Sequence, residues 1–315
     1  MSADPPKRPP SRSLSDAVLG HLRAVADTPD VSGTRYELVE PIGRGGMGVV
    51  WRALDRQLER DVALKILDEP DPTLARALAA RLVQEAKVLA QLEHPGIVPV
   101  HDVGVLADGR AFCAMKLVRG RRLDALMLDG LDEAARARIF GRVGEAVAFA
   151  HARGVIHRDL KPANVMVGEF GEVLVIDWGL AQVAAAGGAV IGERVGTPGF
   201  MAPEQERGDG AVDARADVFA LGALLRGLEA DVASRPLAAI VAKATAPAPA
   251  DRYASVAELC ADVEAWRVGA AVTAFREGWL GGAARLYRRH RPIVWLIVAY
   301  LVLRIGFELV RRGWR

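Results

Sequence analysis

Residues 157–164 read His157-Arg158-Asp159-Leu160-Lys161-Pro162-Ala163-Asn164, and Asp177-Trp178-Gly179 begins thirteen residues after Asn164. The run holds a carboxylate able to accept a proton, an ammonium two residues on, and two hard oxygen donors, Asn164 and Asp177. Oxygens of that kind suit a cation such as Mg²⁺ that also binds phosphate. Upstream, Gly43-Arg44-Gly45-Gly46-Met47-Gly48 forms a turn whose glycines lack Cβ atoms, so backbone N–H groups can approach phosphates closely. Alone, it would read as an ordinary β-turn. Lys65, in Val62-Ala63-Leu64-Lys65, sits in an apolar strand-like run where an unpaired ammonium is costly. It needs anions, with phosphate on one side and a carboxylate on the other. These types and spacings fit phosphoryl chemistry with a divalent cation.

The elements that must position these groups follow from periodicity. Strand-like segments cover 36–42, 49–54 and 61–67. Pro72 opens a helix to about Leu92, with apolar residues at 74, 78, 82 and 89. Segments 97–105 and 111–118, joined by Ala107-Asp108-Gly109, read as a hairpin. Five strands and one main helix make an N-terminal lobe. From 132 onward the pattern turns helical, with two short strands flanking Gly168–Gly171 and later helices near 213–229, 236–245 and 255–267. The fold class is α+β.

With Ala202-Pro203-Glu204 downstream, these motifs in this order resemble the protein-kinase signature set. The chain is identified as resembling the eukaryotic-type (Hanks-type) bacterial Ser/Thr protein kinases over about 36–267. Ile176-Asp177-Trp178-Gly179-Leu180 and Met115-Lys116-Leu117-Val118-Arg119-Gly120 look most like bacterial members. The resemblance implies the two-lobed protein-kinase fold over 34–267, with lobes at about 34–118 and 119–267. It also implies protein substrates carrying Ser or Thr, and ATP with Mg²⁺ (Mn²⁺ as an alternative ion). By the same resemblance, Ile42, Gly43, Gly45, Gly46, Gly48, Val50, Ala63, Lys65, Met115, Lys116 and Val118 line the nucleotide site. Met115 is the gatekeeper, and adenine contacts come from backbone near Lys116 and Val118. Glu85 is the partner of Lys65, while Glu93 matches less well. Asp159 accepts the hydroxyl proton, Lys161 faces the γ-phosphate, and Asn164 and Asp177 hold metal. His157 packs beneath the residue after Asp177, in a stack with a residue such as Leu89. Thr197 hydrogen-bonds Asp159 and Lys161, Glu204 pairs with Arg252, and Asp217 anchors the catalytic-loop backbone. A nucleotide-binding pseudokinase and a small-molecule kinase of similar fold are the alternatives.

Several departures carry consequences. Trp178 replaces the usual phenylalanine, and its indole N–H needs a partner. Between Asp177 and Glu204 the only hydroxyl side chain is Thr197, so a phosphorylated loop residue to pair with Arg158 is missing. Glu193 either takes that place against Arg158 or is a solvated loop residue. Only seventeen residues separate Gly222 from Ile240, where relatives carry a longer segment that docks substrates.

Composition bounds the rest. Residues 285–315 hold eight arginines and one glutamate, a net of +7, against a net of −5 for the remainder. Because these arginines bracket an apolar run, they point to a membrane surface and not to nucleic acid. Two cysteines, Cys113 and Cys260, make no disulfide framework and fit a reducing compartment. Residues 1–33 read as a Pro-rich basic lead and a short helix with no secretory signal, and 268–292 as a basic juxtamembrane linker. Residues 293–303 are eleven uninterrupted apolar positions. Extended to Val310, the run is a candidate transmembrane or membrane-anchoring helix that leaves the kinase domain cytoplasmic. A soluble helix packed on the kinase domain or on a second copy, giving a homodimer, is the other reading.

Overall fold

A computed structural model describes residues 28–45, 48–69, 71–178, 182–183, 198–208, 212–229, 234–275 and 291–313. Five strands, β1 (Tyr36–Gly45), β2 (Gly48–Asp55), β3 (Arg60–Leu67), β4 (Val100–Val105) and β5 (Ala111–Lys116), form one antiparallel sheet in the order β1-β2-β3-β5-β4. Successive side chains of a strand point to opposite faces, and β3 uses both. Val62, Leu64 and Ile66 join Tyr36, Ala53, Phe112 and Ala114 in one cluster. Leu67 lies on the opposite face with Leu82, Ala86, Ala111 and Cys113. Helix α1 (Pro72–Leu89) therefore packs on the face of β3 that also carries Ala63 and Lys65. Its start is fixed by the Asp71 carboxylate, which accepts the Thr73 and Leu74 N–H groups at 2.7 and 3.1 Å. It ends at Leu89, short of the expected Leu92, because Gln91 and Leu92 turn back onto the carbonyls of Val88 and Leu89.

The chain divides into two compact units, one of residues up to Lys87 with Val100–Leu117, the other of Val88–Pro99 with Val118 onward. In the second, β6 (Gly120–Arg122), β8 (Val165–Gly168) and β9 (Val173–Val175) form a small sheet, and β7 (Val155–Ile156) pairs with β10 (Gln182–Val183). Around them lie α2 (Leu123–Asp129), α3 (Glu133–Ala152), α4 (Pro203–Arg207), α5 (Arg215–Leu228), α6 (Arg235–Ala244) and α7 (Val256–Arg267). Asp132 caps α3 by accepting the Ala135 N–H at 2.7 Å, and Ser255 caps α7 through the Glu258 N–H at 3.2 Å. Helix α5 is buried along most of its length, from Ala216 to Leu228, as its apolar residues on every face require. The strands β6, β7 and β10 and the helices α2 and α4 are too short for periodicity to reveal them.

A last helix, α8, runs Arg291–Gly313, with Trp295, Leu296, Ile297, Leu303 and Phe307 exposed. The membrane-crossing segment expected over 293–310 is not found: among the described residues no helix is long and apolar enough to cross a membrane. Arg304 and Glu308 interrupt the apolar run after eleven residues, about half of what a crossing helix needs.

Candidate active site

The segment joining β7 to β8 has little regular hydrogen bonding of its own, so side chains from elsewhere must satisfy its backbone. Asp217, fully buried on α5, does most of this. Its carboxylate accepts the His157 N–H at 2.8 Å, the Arg158 N–H at 2.9 Å, and a contact from His151 Nε2 at 2.7 Å. Burial alone would push this carboxyl up. The His151 hydrogen bond, the charges of His151 and His157 and the backbone donor together outweigh burial and hold it below the usual carboxylate range. The anchoring expected of Asp217 is present.

Asp159 then faces a set of donors. Lys161 Nζ lies 2.7 Å from Asp159 Oδ2, and Asn164 Nδ2 donates to the Asp159 carbonyl at 2.8 Å and to Oδ2 at 3.2 Å. The Asp159 side chain is only 11% exposed, so these charge-assisted bonds are poorly screened. Asn164 is buried in a 3₁₀ turn (Pro162–Asn164), and its carbonyl accepts the Ile176 N–H at 2.9 Å. That bond brings the Asp177 segment alongside Asn164. Asp159, Lys161 and Asn164 thus come together, with the backbone that leads into Asp177 hydrogen-bonded beside them.

Two residues of the site hold left-handed backbones without being glycine, Arg158 at φ 70° and Asp177 at φ 58°. Such conformations cost on the order of 1–2 kcal/mol and persist only where the surroundings fix them. His157, fully buried, bridges the two: Nε2 lies 3.3 Å from the Ile176 carbonyl and Nδ1 is 3.3 Å from the Asp159 N. The His157 ring sits 4.6 Å from the Trp178 ring, and Leu89, expected in the same stack, is buried. Trp178 is itself fully buried, and its N–H finds the partner it needs in the Val175 carbonyl, at 3.2 Å.

Helix α4 braces the loop from another side. Glu204 and Arg252 form a buried bidentate pair at 2.6 and 2.7 Å, and Arg252 also donates to the carbonyls of Ala246, Pro247 and Arg215. The sequence reading found this pair and missed its neighbour Gln205. Gln205 Nε2 donates to the Arg158 carbonyl at 2.8 Å, and Gln205 Oε1 accepts the Ala202 N–H at 3.2 Å. The available signal was a glutamine three residues after a helix start, hidden because Ala202 stands where a Ser or Thr would complete the pattern.

In the first unit, Gly43 lies opposite Val50, Gly45 opposite Gly48, Lys65 between Val50 and Cys113, and Ala63 beside Met115. Gly48 is required by the fold: its φ is 145° and an added Cβ would collide with the Ile66 carbonyl oxygen. Gly43 and Gly45 are not so constrained, since a Cβ there meets only Val50 Cβ at 3.9 Å or nothing. Ile42 is exposed, Val50 half-buried and Ala63 buried. Met115 is half-buried and Lys116 exposed at the end of β5, and Val118, half-buried, follows in the second unit. Gly46, Glu193 and Thr197 lie outside the described residues, as does the side chain of Glu85, whose backbone is on α1. Among the described residues no group of three or more His, Cys, Asp or Glu could hold a metal by itself. The donors present are one amide and one carboxylate. They fit a cation that completes its shell with phosphate oxygens and water.

Residues 36–237 match the family model described as Protein kinase domain. The serine/threonine-protein kinase PknD of Chlamydia trachomatis is 34% identical over 290 aligned residues, covering 71% of this chain and 31% of that protein. The serine/threonine-protein kinase PknB of Mycobacterium tuberculosis is 35% identical over 278, covering 75% of this chain and 43% of that protein. The chain spans between 31% and 43% of the length of these curated relatives.

Proposed function

This chain belongs to the protein kinase family, and from that premise we propose that it is a serine/threonine kinase acting on proteins with ATP and Mg²⁺. The observation that carries the reading is the joined cluster of Asp159, Lys161 and Asn164 with the Asp177 segment hydrogen-bonded beside it. Asp159 orients a substrate hydroxyl and accepts its proton as the hydroxyl oxygen bonds to the terminal phosphorus. The bond from that phosphorus to the leaving diphosphate oxygen breaks in the same step. Lys161 offsets negative charge on the transferred group. Asn164 and Asp177 would hold the divalent cation, which neutralises phosphate charge when bound. Because the Asn164 amide nitrogen is committed to Asp159, its oxygen is the end left to serve as ligand.

In the first unit, the open space at Gly43 and Gly45 supports close approach of backbone N–H groups to phosphates. Lys65, with Glu85 as its carboxylate partner, would hold the non-transferred phosphates. Ile42, Gly46, Val50, Ala63, Met115, Lys116 and Val118 would complete the nucleotide site. Labelled phosphate transfer from Mg-ATP to a generic basic protein tests the whole reading. The Asp159→Asn variant should fall by about a hundredfold or more, with phosphoserine and phosphothreonine as products. Equal labelling by the variant, or dominant phosphotyrosine, would overturn it.

We further propose that α8 lies on an anionic bilayer surface and keeps the kinase at the cytoplasmic face. Its support is the exposure of apolar side chains from Trp295 to Phe307, together with arginines at 288, 289, 291, 311 and 312.

A further inference from the structure

The peptide group between Arg158 and Asp159 sets the direction in which the Asp159 side chain leaves the backbone. It is tethered at both ends. Its N–H faces His157 Nδ1 at 3.3 Å, a long bond, while its carbonyl accepts from Gln205 Nε2 at 2.8 Å, a good one. Arg158, whose φ of 70° this peptide must accommodate, is fixed on its N-terminal side by Asp217. On the carbonyl side the donor is the Gln205 amide.

Gln205 is well suited to that task. The residue is only 6% exposed, and both ends of its amide are engaged, Oε1 by the Ala202 N–H and Nε2 by the Arg158 carbonyl. One partner is a donor and the other an acceptor, so the amide has a single satisfactory orientation. A carboxylate of the same shape would set an oxygen against the Arg158 carbonyl. The residue before Gln205, Glu204, is locked to Arg252, so the tether rests on a fixed base.

We infer that Gln205 is a positioning residue for phosphoryl transfer: by holding the Arg158 carbonyl it fixes the peptide plane from which Asp159 projects, and it couples the start of α4 to that carboxylate. This rests on the kinase reading, and the experiment separates the two. In the full chain, Gln205→Met keeps the length and removes both hydrogen bonds. Gln205→Glu keeps the shape and loses the donor until its carboxyl is protonated, which burial favours.

Both variants should lose about tenfold in kcat at pH 8, as expected for a misplaced catalytic group, with KM for ATP unchanged. As the pH falls from 8 to 6, Gln205→Glu should recover at least about threefold relative to wild type while Gln205→Met does not, because a protonated carboxyl can donate. The charged groups on neighbouring elements, Asp217 with His151 and Glu204 with Arg252, are common to all three proteins and cancel in the ratio. Wild-type kcat in both variants, or equal loss with no acid recovery in Gln205→Glu, would overturn the inference while leaving the kinase reading intact. Should the wild type transfer no phosphate, or Gln205→Glu fail to fold, amide hydrogen exchange over 157–161 in Gln205→Met decides. Faster exchange than wild type supports the tether, and unchanged exchange refutes it.

Discussion

Individual residues at this site do work that their chemistry alone would not assign. Asp217 touches no reacting atom in the proposed mechanism, yet it accepts the N–H groups of both His157 and Arg158, and its loss would take that acceptor from them. Its carboxyl is held below the ordinary range, so the sign of its pH dependence follows. The stabilisation is fully present above the unfolded value, near pH 4, and is lost as pH falls through the lower folded value. Asp217→Asn should therefore cost roughly 2–3 kcal/mol at pH 7. The gap in urea midpoint from wild type should narrow below about pH 4. A gap independent of pH would remove Asp217 from this role. Trp178 shows the same economy. The larger indole is accommodated because the carbonyl of Val175, three residues back, receives its N–H.

Elements explain why these residues meet. Helix α4 has only five residues, too few to hold itself by propensity, and is stabilised instead by its tertiary partners. Arg252 reaches it from the turn before α7 and saturates its guanidinium on Glu204 and three carbonyls. Removing one member of such a pair strands the other charge. Arg252→Ala is expected to cost about 3–5 kcal/mol in chemical denaturation. Replacing both members with apolar residues should cost clearly less than Arg252→Ala alone. A loss below 1 kcal/mol for Arg252→Ala, within the range of an exposed ion pair, would contradict this account.

At the scale of the whole molecule, charge is segregated: the arginine-rich end surrounds α8 while the remainder is mildly acidic. The exposed apolar stretch Trp295–Leu303 of α8 calls for a cover. Full-length protein should float with vesicles containing anionic phosphatidylserine. It should do so several-fold less at 0.5 M salt, where the Debye length shrinks to about 4 Å, or with neutral vesicles. A version ending at Arg276 should stay behind. Dimerisation through α8 without vesicle binding would assign the helix to a second copy of the chain.

The candidate groups stood out because phosphoryl chemistry would demand particular residue types at short spacings: Asp159, Lys161 and Asn164 share one run, and Lys65 is a charge in an apolar strand. The five strands and α1 were legible from apolar pattern together with turn residues and Pro72, although β4 begins at Val100 and not at 97. Tertiary structure decided what depends on residues far apart in the chain. It brought Asn164 beside the Asp177 segment and set Asp217, some sixty residues on, beneath the loop. It also gave the Arg158 carbonyl to Gln205, forty-seven residues away. Such partners leave no periodic trace, because a buried backbone group accepts any donor that the fold delivers at the right distance.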